Sequence, residues 1–221
     1  MTTDTRADTP PAPSTSERIA RAVVRGLYEG SFVPGQRLIE PDLMALYGAS
    51  RGVVREAIRR LEAEGVVDVL PYRGAQIRRL TDREARDALM VIEYCTGLAA
   101  RLAADRIDEG ENRAIFQRAF DALLDHQGQA ESFDQIRARN RFYRAIAKVS
   151  GSRDLQRFIP TVQVHLLRSR FALSAEARFA DYRRIGEAIL TRQPDAAETA
   201  CRDHIRKTGT LLAAGGAAAT G

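Results

Sequence analysis

The sequence predicts a mainly α-helical protein of two domains: an N-terminal winged helix-turn-helix with a small β-hairpin wing, and a C-terminal antiparallel six-helix bundle. Within residues 15–80, short helical patterns alternate with short β-prone runs, whereas residues 81–212 show helical periodicity almost throughout. Residues 1–14 are polar and carry three prolines, and residues 213–221 are rich in Ala and Gly. We therefore expect a disordered arm before the first domain and a flexible tail after the second.

The composition excludes several classes of protein. Hydrophobic residues make up 44% and charged residues 29% of the 221 residues, a globular balance, and no apolar run approaches the roughly 20 residues of a membrane-spanning helix. The N-terminus lacks a secretion signal, and Cys95 and Cys201 lack the CxxC spacing of a thiolate metal site. We expect a cytoplasmic protein without disulfides or membrane contact. The net charge of +5 fits a polyanionic partner or an ordinary arginine-rich surface.

Three helices are predicted in the first domain. Ser14 and Glu17 form a capping box for the first, Pro41 lies in the first turn of the second, and Ser50 caps the third. Each helix has an apolar side that we expect to be buried, formed by Ile19, Val23 and Leu27, then by Leu43, Leu46 and Tyr47, and then by Val54, Ile58 and Leu61.

Arginines recur every four residues on the third helix, opposite its apolar stripe. An α-helix fits the major groove of DNA, where an arginine can donate two hydrogen bonds to guanine O6 and N7. We predict that Arg51 and Arg55 read bases and that Ser50, at the helix N-terminus, holds a phosphate. The alternative is that this row is only a solvated helix face.

The β-prone runs 66–70 and 75–80 follow this helix and form the predicted wing. Arg73 and Gly74 lie at its tip, where they would approach the neighbouring DNA backbone or minor groove. The buried stripe, the capping serine and the hairpin all agree with DNA binding, which favours this function over the solvated face.

The run PGQRLIEPDLMALYGASRGVVREAIRRLEAEGVV, followed by PYRGAQI, resembles the DNA-binding domain of the GntR family of bacterial transcription regulators. This resemblance implies operator contacts by Ser50, Arg51, Arg55 and Gly74. Pro41 stands where the family has a further arginine, so one DNA contact is expected to be missing.

The second domain is predicted to contain six helices joined by short turns, as is typical of an antiparallel bundle. Capping boxes at Thr81 with Glu84 and at Asp195 with Glu198 mark two helix starts. The expected helices are 81–107, 111–127, 131–149, 153–173, 175–193 and 195–212.

Four polar side chains interrupt the apolar stripes of these helices and point toward the bundle interior: Arg139, Tyr143, Tyr182 and His204. Together they would form a ligand-binding pocket. Its arginine would bind the carboxylate group of a ligand, and its Tyr and His side chains would orient that ligand by hydrogen bonds. The alternative, which periodicity alone favours, is that both tyrosines are ordinary core residues and His204 is a hydrogen-bonded core histidine. Arg139 would then extend its guanidinium to solvent or pair with an acid such as Asp134 or Asp181.

The segments RNRFYRAIAKVSGSRDL, DYRRIGEAIL and CRDHI resemble the ligand-sensing FCD domain of the FadR subfamily, and the six-helix count is similar to its VanR-type branch. Many of its members bind a divalent metal through one Asp and three His. Those positions carry Arg139, Tyr143, Tyr182 and His204 here, so we predict no metal and no cofactor, and an anionic effector instead.

These observations predict a cytoplasmic transcription regulator, most simply a repressor, that binds a palindromic DNA operator as a homodimer and responds to a small anionic or carboxylate effector. One alternative is a DNA-binding dimer whose helical domain serves only dimerisation. An enzyme is disfavoured because the sequence has no nucleophile, metal set or phosphate loop.

Overall fold

The structure is a computed structural model and describes residues 13–70, 74–130, 132–158 and 174–218. The chain divides into two compact units, Met1–Arg78 and Arg79–Gly221.

The first unit alternates helices with short strands as the sequence predicts. Ser14 caps α1 by accepting a hydrogen bond from the Glu17 backbone, but the Glu17 carboxylate pairs with Arg21 and does not complete the capping box. The three strands form an antiparallel sheet of order β1-β3-β2. The elements are α1 (Thr15–Glu29), β1 (Arg37–Leu38), α2 (Glu40–Tyr47), α3 (Arg51–Ala63), β2 (Val67–Leu70) and β3 (Gly74–Ile77).

The core of this unit forms where α1 packs on α3. The predicted stripe of α3 is buried, as are Ile19 and Val23 of α1. The expectation for Leu46 was wrong, because its exposed fraction is 65%. A two-turn helix can pack along only a narrow line, and α2 uses Leu43 for this contact.

Six helices are described in the second unit. The capping box at Thr81 and Glu84 forms as predicted, with both reciprocal hydrogen bonds. The box at Asp195 and Glu198 does not form, since the last helix starts at residue 194 and both carboxylates bind Arg101. The helices are α4 (Asp82–Asp105), α5 (Asn112–Leu124), α6 (Phe133–Val149), α7 (Arg153–Phe158), α8 (Ala175–Leu190) and α9 (Pro194–Ala218).

Two predicted boundaries differ from these helices. The predicted helix 153–173 is described only up to residue 158, and the rest lies outside the described residues. Helix α9 continues to residue 218, into the stretch where a tail was expected, through a run rich in alanine, the strongest helix former.

Aromatic side chains fill the centre of the second unit. The Phe142 ring lies 5.7 Å from that of Phe116, 5.8 Å from that of Phe120 and 5.9 Å from that of Tyr182. Helix α8 approaches this cluster closely, because a Cβ atom at Gly186 would lie 2.3 Å from the Phe120 ring. The fixed aromatic core therefore determines where the polar side chains of α6 and α8 lie.

Helix α9 lies against α4 along much of its length. At Gly97 the two helices approach so closely that an added Cβ would lie 2.5 Å from Cγ of Arg202. The Arg202 guanidinium donates to Glu93 at 3.0 Å and lies 4.3 Å from the centre of the Tyr94 ring. No helix in the described part of the chain is long and apolar enough to span a bilayer.

Candidate nucleic-acid interface and effector pocket

The outer face of α3 presents the predicted pair of arginines. The side chains of Arg51 and Arg55 are 66% and 61% exposed, while the apolar side of the same helix is buried. Ser50 is the N-cap residue, yet its side chain makes no capping hydrogen bond, and the first turn contains no acidic residue. The helix N-terminus thus keeps backbone donors and a partial positive charge for an anion such as a phosphate.

Both arginines lie within ion-pair distance of Glu40, a residue that the sequence analysis did not assign to the DNA-binding face. Glu40, the first residue of α2, lies 3.8 Å from Nε of Arg51 and 3.5 Å from Nε of Arg55. The pairing joins two helices, so no spacing within one helix could reveal it. Glu40 thus forms a loose, exposed ion pair with each of the two arginines.

We expect Glu40→Gln to raise the affinity for nonspecific duplex about two- to fivefold at low salt, because a negative charge is removed from a surface that meets phosphates. The ratio of specific to nonspecific affinity should fall, since both arginines lose the group that orients them. Fluorescence anisotropy with a random duplex and with a selected operator measures both quantities.

Glu56→Gln is the matched control, because Glu56 forms an ion pair at 3.0 Å with Arg59 on the same helix without contacting either candidate base-reading arginine. An equal gain in both variants would mean that net charge alone, and not the Glu40 pairing, sets the nonspecific affinity.

Of the two predicted wing residues, only Gly74 lies within the described part of the chain. Gly74 opens β3, faces Leu70 of β2 and has a φ of +76°, a conformation that favours glycine. No atom of the described residues lies within 4 Å of the position a Cβ would take, so the positive φ is the observed reason for a glycine here. Arg73 lies outside the described residues.

In the second unit, Arg139 and Tyr182 line one small pocket. Its space, including the opening to solvent, is about 230 Å³, and its other lining residues are Leu123, Gln135, Ile136 and Arg178. Oε1 of Gln135 is buried there without a hydrogen-bond partner. The wall of the pocket is therefore partly apolar and partly cationic, with an unused polar atom.

Arg139 does not pair with either acid that the alternative interpretation offered. Asp134 lies 3.9 Å from Arg137, and Asp181 binds other groups. Among the described residues, the Arg139 guanidinium donates one hydrogen bond, at 3.3 Å to the side chain of Asn140, and no carboxylate lies within 4.0 Å of it. A cation on a pocket wall without an acidic partner is suited to an anionic ligand.

Tyr143 and His204 form a layer next to the pocket and do not line it. The Tyr182 ring lies 5.1 Å from that of His204, and Tyr143 packs edge-on against Phe142. The Tyr143 hydroxyl is buried without a hydrogen-bond partner, and burial, with a smaller contribution from Tyr182, raises its pKa well above the usual value. The four predicted side chains are thus neighbours, but only two of them face the pocket.

Asp181 is the main polar residue that sequence reasoning did not assign to the site. Its side chain is 3% exposed, and its carboxylate lies 3.1 Å from Nδ1 of His204, 2.5 Å from Nζ of Lys207 and 3.8 Å from Arg184. Burial alone would raise the pKa of this carboxyl, but hydrogen bonds from His204 and Lys207 outweigh burial and lower it. The ionised Asp181 carboxylate accepts a hydrogen bond from the Nδ1–H group and so fixes the orientation of the imidazole.

Asp181→Asn is expected to lower the free energy of unfolding at pH 7 by about 1 to 3 kcal/mol, because His204 and Lys207 lose a charged acceptor. The folded-state pKa of Asp181 lies below its unfolded value, so its stabilisation is present above about pH 4 and is lost as the pH falls through the folded value. Urea denaturation across this range should show the difference from wild type shrinking toward acid.

Asp203→Asn provides the control for this experiment. Its carboxylate is 36% exposed and forms looser ion pairs at 3.9 Å with Arg184 and 3.5 Å with Arg206, so we expect a change below about 1 kcal/mol. A difference for Asp181→Asn that grows toward low pH would contradict the assigned pKa direction.

The residues at the family's metal positions do not fit a divalent cation. Arg139 places a cation where a carboxylate is needed, and His204 is the single imidazole at these four positions, too few ligands for a site that needs at least three from the protein. Burial raises the pKa of the neighbouring Cys201 thiol to about 12, so without a metal this side chain is a neutral thiol. Within the described residues, no three His, Cys, Asp or Glu side chains are grouped closely enough to hold a metal.

A helix-turn-helix unit with exposed arginines on its third helix, joined in one chain to a helical unit with a small pocket, defines a ligand-responsive DNA-binding regulator. Comparison with family models agrees with this class. Residues 15–77 match the bacterial regulatory proteins of the gntR family, and residues 84–207 match the FCD domain. The chain belongs to the GntR family, with an FCD domain, and is a transcription regulator and not an enzyme.

Curated relatives and solved structures are similar over nearly the full chain. The HTH-type transcriptional regulator YdhC of Bacillus subtilis is 26% identical, with 78% of this chain and 79% of YdhC covered. The HTH-type transcriptional repressor RspR of Escherichia coli is 21% identical, with 94% and 92% covered. E. coli McbR/YncC has the same fold, with a TM-score of 0.73 at 20% identity over 91% of this chain and 98% of that protein.

Proposed function

We propose that this regulator acts in the cytoplasm as a repressor that binds a palindromic operator as a homodimer and responds to a small carboxylate. The observation that carries the effector proposal is Arg139, which lines a pocket without a carboxylate partner among the described residues. Ser50, Arg51, Arg55, Arg73 and Gly74 form the proposed DNA contacts.

The DNA half of the proposal rests on the geometry of α3. One helix of this length reaches only a few base pairs in the major groove, so specific binding needs two copies related by a dyad, with half-sites roughly one turn apart. Arg51 and Arg55 supply base contacts, while the α3 N-terminus at Ser50 and the wing at Gly74 supply backbone contacts.

The effector half rests on the pocket and on the buried groups beside it. A carboxylate would bind Arg139, and a hydroxyl of the same ligand would donate to Oε1 of Gln135, an acceptor on the pocket wall without a hydrogen-bond partner. Tyr182 lines the pocket and would orient the ligand, with His204 against its ring and the buried Tyr143 hydroxyl in the next layer. The enclosed part of the pocket is only about 10 Å³, room for about one water molecule, so we expect a small acid that displaces lining side chains as it binds.

A thermal-shift screen of small carboxylic, sugar and aromatic acids tests the effector proposal. A true effector should raise the Tm of wild type and change operator affinity about 5- to 150-fold, whereas Arg139→Ala should lose both responses. Arg137→Ala is the control, because this arginine lies on the same helix with its side chain 58% exposed. A full response by Arg139→Ala would count against the pocket.

Purified protein is expected to carry no stoichiometric Zn, Ni or Mn, because Arg139 supplies directly the positive charge that a metal would give. Elemental analysis of protein prepared without chelators measures this, and one metal per chain would refute the assignment.

The second candidate is a DNA-binding dimer with no small-molecule input. The small size of the pocket favours it. Operator binding that no acid in the screen alters, together with a melting temperature that no acid shifts, would support this candidate over the first.

A further inference from the structure

The outer face of α6 carries a line of cationic side chains. Arg137, Arg141, Arg144 and Lys148 are exposed, while the apolar side chains of the same helix, among them Phe142, are buried in the core. At 100° and 1.5 Å per residue, the four cations lie within an arc of about 60° and span about 17 Å along the helix axis. Arg141, Arg144 and Lys148 form the α6 basic stripe, and Arg137 prolongs it toward the start of the helix.

The α6 basic stripe has no carboxylate to balance it. Within the described residues, the ion pair found on this line joins Arg137 to Asp134 at 3.9 Å, and no acid lies within 4.0 Å of the stripe itself. Each cation is three or four residues from the next, a spacing at which like charges destabilise a helix. Lys148 lies in the last turn, where the helix dipole favours a cation, but the two arginines have no such benefit.

Exposed arginines on other helices of the second unit lie beside acids. Arg113 lies 2.6 Å from Asp108, and Arg206 lies 2.8 Å from Glu93. A general excess of arginine in the composition therefore does not account for the α6 basic stripe, because other arginines of the same unit are balanced locally. An uncompensated line of like charges on one helix indicates a polyanionic partner.

The chemistry of this face favours a phosphate backbone over a protein or a membrane surface. Among the described residues, none of the exposed large apolar side chains belongs to α6. A protein interface has an apolar centre, and a helix that lies on a membrane inserts an apolar face, so both would need side chains that this face lacks. Guanidinium groups match the geometry of phosphates, and duplex DNA offers a phosphate on each strand about every 3.4 Å along its axis.

We propose that the α6 basic stripe is a second DNA-binding surface, which binds the phosphate backbone of duplex DNA without sequence preference. The first unit binds DNA through α3, and the chain that joins the two units keeps duplex DNA at a high effective concentration near α6. The inference rests on the proposed function only for this supply of DNA. Its contacts are independent of the bases that Arg51 and Arg55 read and of the effector.

The salt dependence of binding to a random-sequence duplex gives the first test. The variant Arg141→Gln/Arg144→Gln/Lys148→Gln should lower the slope of log affinity against log salt by about two to three, because each lost phosphate contact removes about 0.9. Its loss of affinity between about 50 and about 200 mM salt should be about 10- to 40-fold smaller than that of wild type. Fluorescence anisotropy measures both, and far-UV circular dichroism checks the fold.

Arg86→Gln/Arg118→Gln/Arg183→Gln is the matched control. It removes three positive charges from exposed positions on α4, α5 and α8, so the net charge changes equally while the α6 basic stripe stays intact. An equal fall of the slope in both variants, or an unchanged slope in the stripe variant, would overturn the proposal. Binding to phosphatidylserine vesicles that the stripe variant loses, with an unchanged slope on DNA, would assign this face to a membrane surface and also overturn it.

Photocross-linking locates the contact directly. In a Cys95→Ser background, Arg144→Cys labelled with an azidophenacyl group should form adducts with the random-sequence duplex, whereas Arg118→Cys labelled in the same way should not. Cys201 is buried and stays in place. Absence of adducts at position 144, or equal yields at both positions, would contradict the proposal.

This inference and the proposed function fail in distinguishable ways. A protein that selects no operator, but whose stripe variant shows the smaller salt slope, would refute the proposed function and leave the second surface intact. A protein that binds an operator and responds to an acid, with the same salt slope in wild type and stripe variant, would leave the function intact and refute the second surface.

Discussion

Replacing both Arg51 and Arg55 with alanine is expected to abolish sequence-specific operator binding. Each bidentate arginine–guanine pair discriminates by about 1 to 3 kcal/mol, so the two together correspond to a loss of between about 30-fold and about 25,000-fold. Their side chains are more than 60% exposed and make no core contacts, so the domain should fold normally. Fluorescence anisotropy with a selected operator measures the loss, and far-UV circular dichroism checks the fold.

Arg59→Ala separates base reading from general charge. Arg59 is exposed two turns further along α3 and pairs with Glu56, so its removal should weaken all duplexes about equally and lower the salt slope by about one. An operator affinity unchanged in the double variant, or reduced equally by Arg59→Ala, would refute the role of Arg51 and Arg55 in specificity.

Phe142→Ala is expected to destabilise the second unit by about 3 to 5 kcal/mol, because it opens a cavity among the rings of Phe116, Phe120, Tyr143 and Tyr182. The loss should appear as a lower urea midpoint for this unit. Because the ring supports Tyr182 on the pocket wall, acid binding should weaken as well.

Phe158→Ala is the control for this cavity. Phe158 is 36% exposed, and truncation there should cost less than about 1.5 kcal/mol. Similar losses for the two variants would mean that Phe142 is not the centre of the core.

The helices of the N-terminal domain could be predicted closely because the capping residues, the spacing of apolar residues and the packing of the core all indicate the same elements. Val54, Ile58 and Leu61 repeat at helical spacing between a capping serine and a glycine, and all three are buried. Leu46 misled the prediction because a two-turn helix offers too few positions for periodicity to identify its inner side. Glu40 was not assigned to the DNA-binding face because its pairing with the arginines of α3 depends on how two helices meet.

The effector site could be predicted only in part. The helical periodicity predicts that Arg139, Tyr143, Tyr182 and His204 point toward the interior, and in the structure they are neighbours. Periodicity alone could not indicate which of them line the pocket. Asp181 shares its side of α8 with Ile185 and Ala188, at steps of four and three, and this spacing was the available signal for its burial. Its partners come from another helix, which a single sequence pattern does not reveal.

Helix α9 touches both the ligand pocket's inner layer and the outer edge of α4. His204 and Lys207 hold Asp181 on one side, while Arg202 lies over the Tyr94 ring on the other, and the close approach at Gly97 leaves no room for slippage between the helices. A helix moves as a stiff rod over so short a distance, so a displacement of His204 carries Arg202 with it. Under the proposed function, occupancy of the pocket would then be thermodynamically linked to the position of α4, and by reciprocity any change that shifts α4 would alter the affinity for the acid.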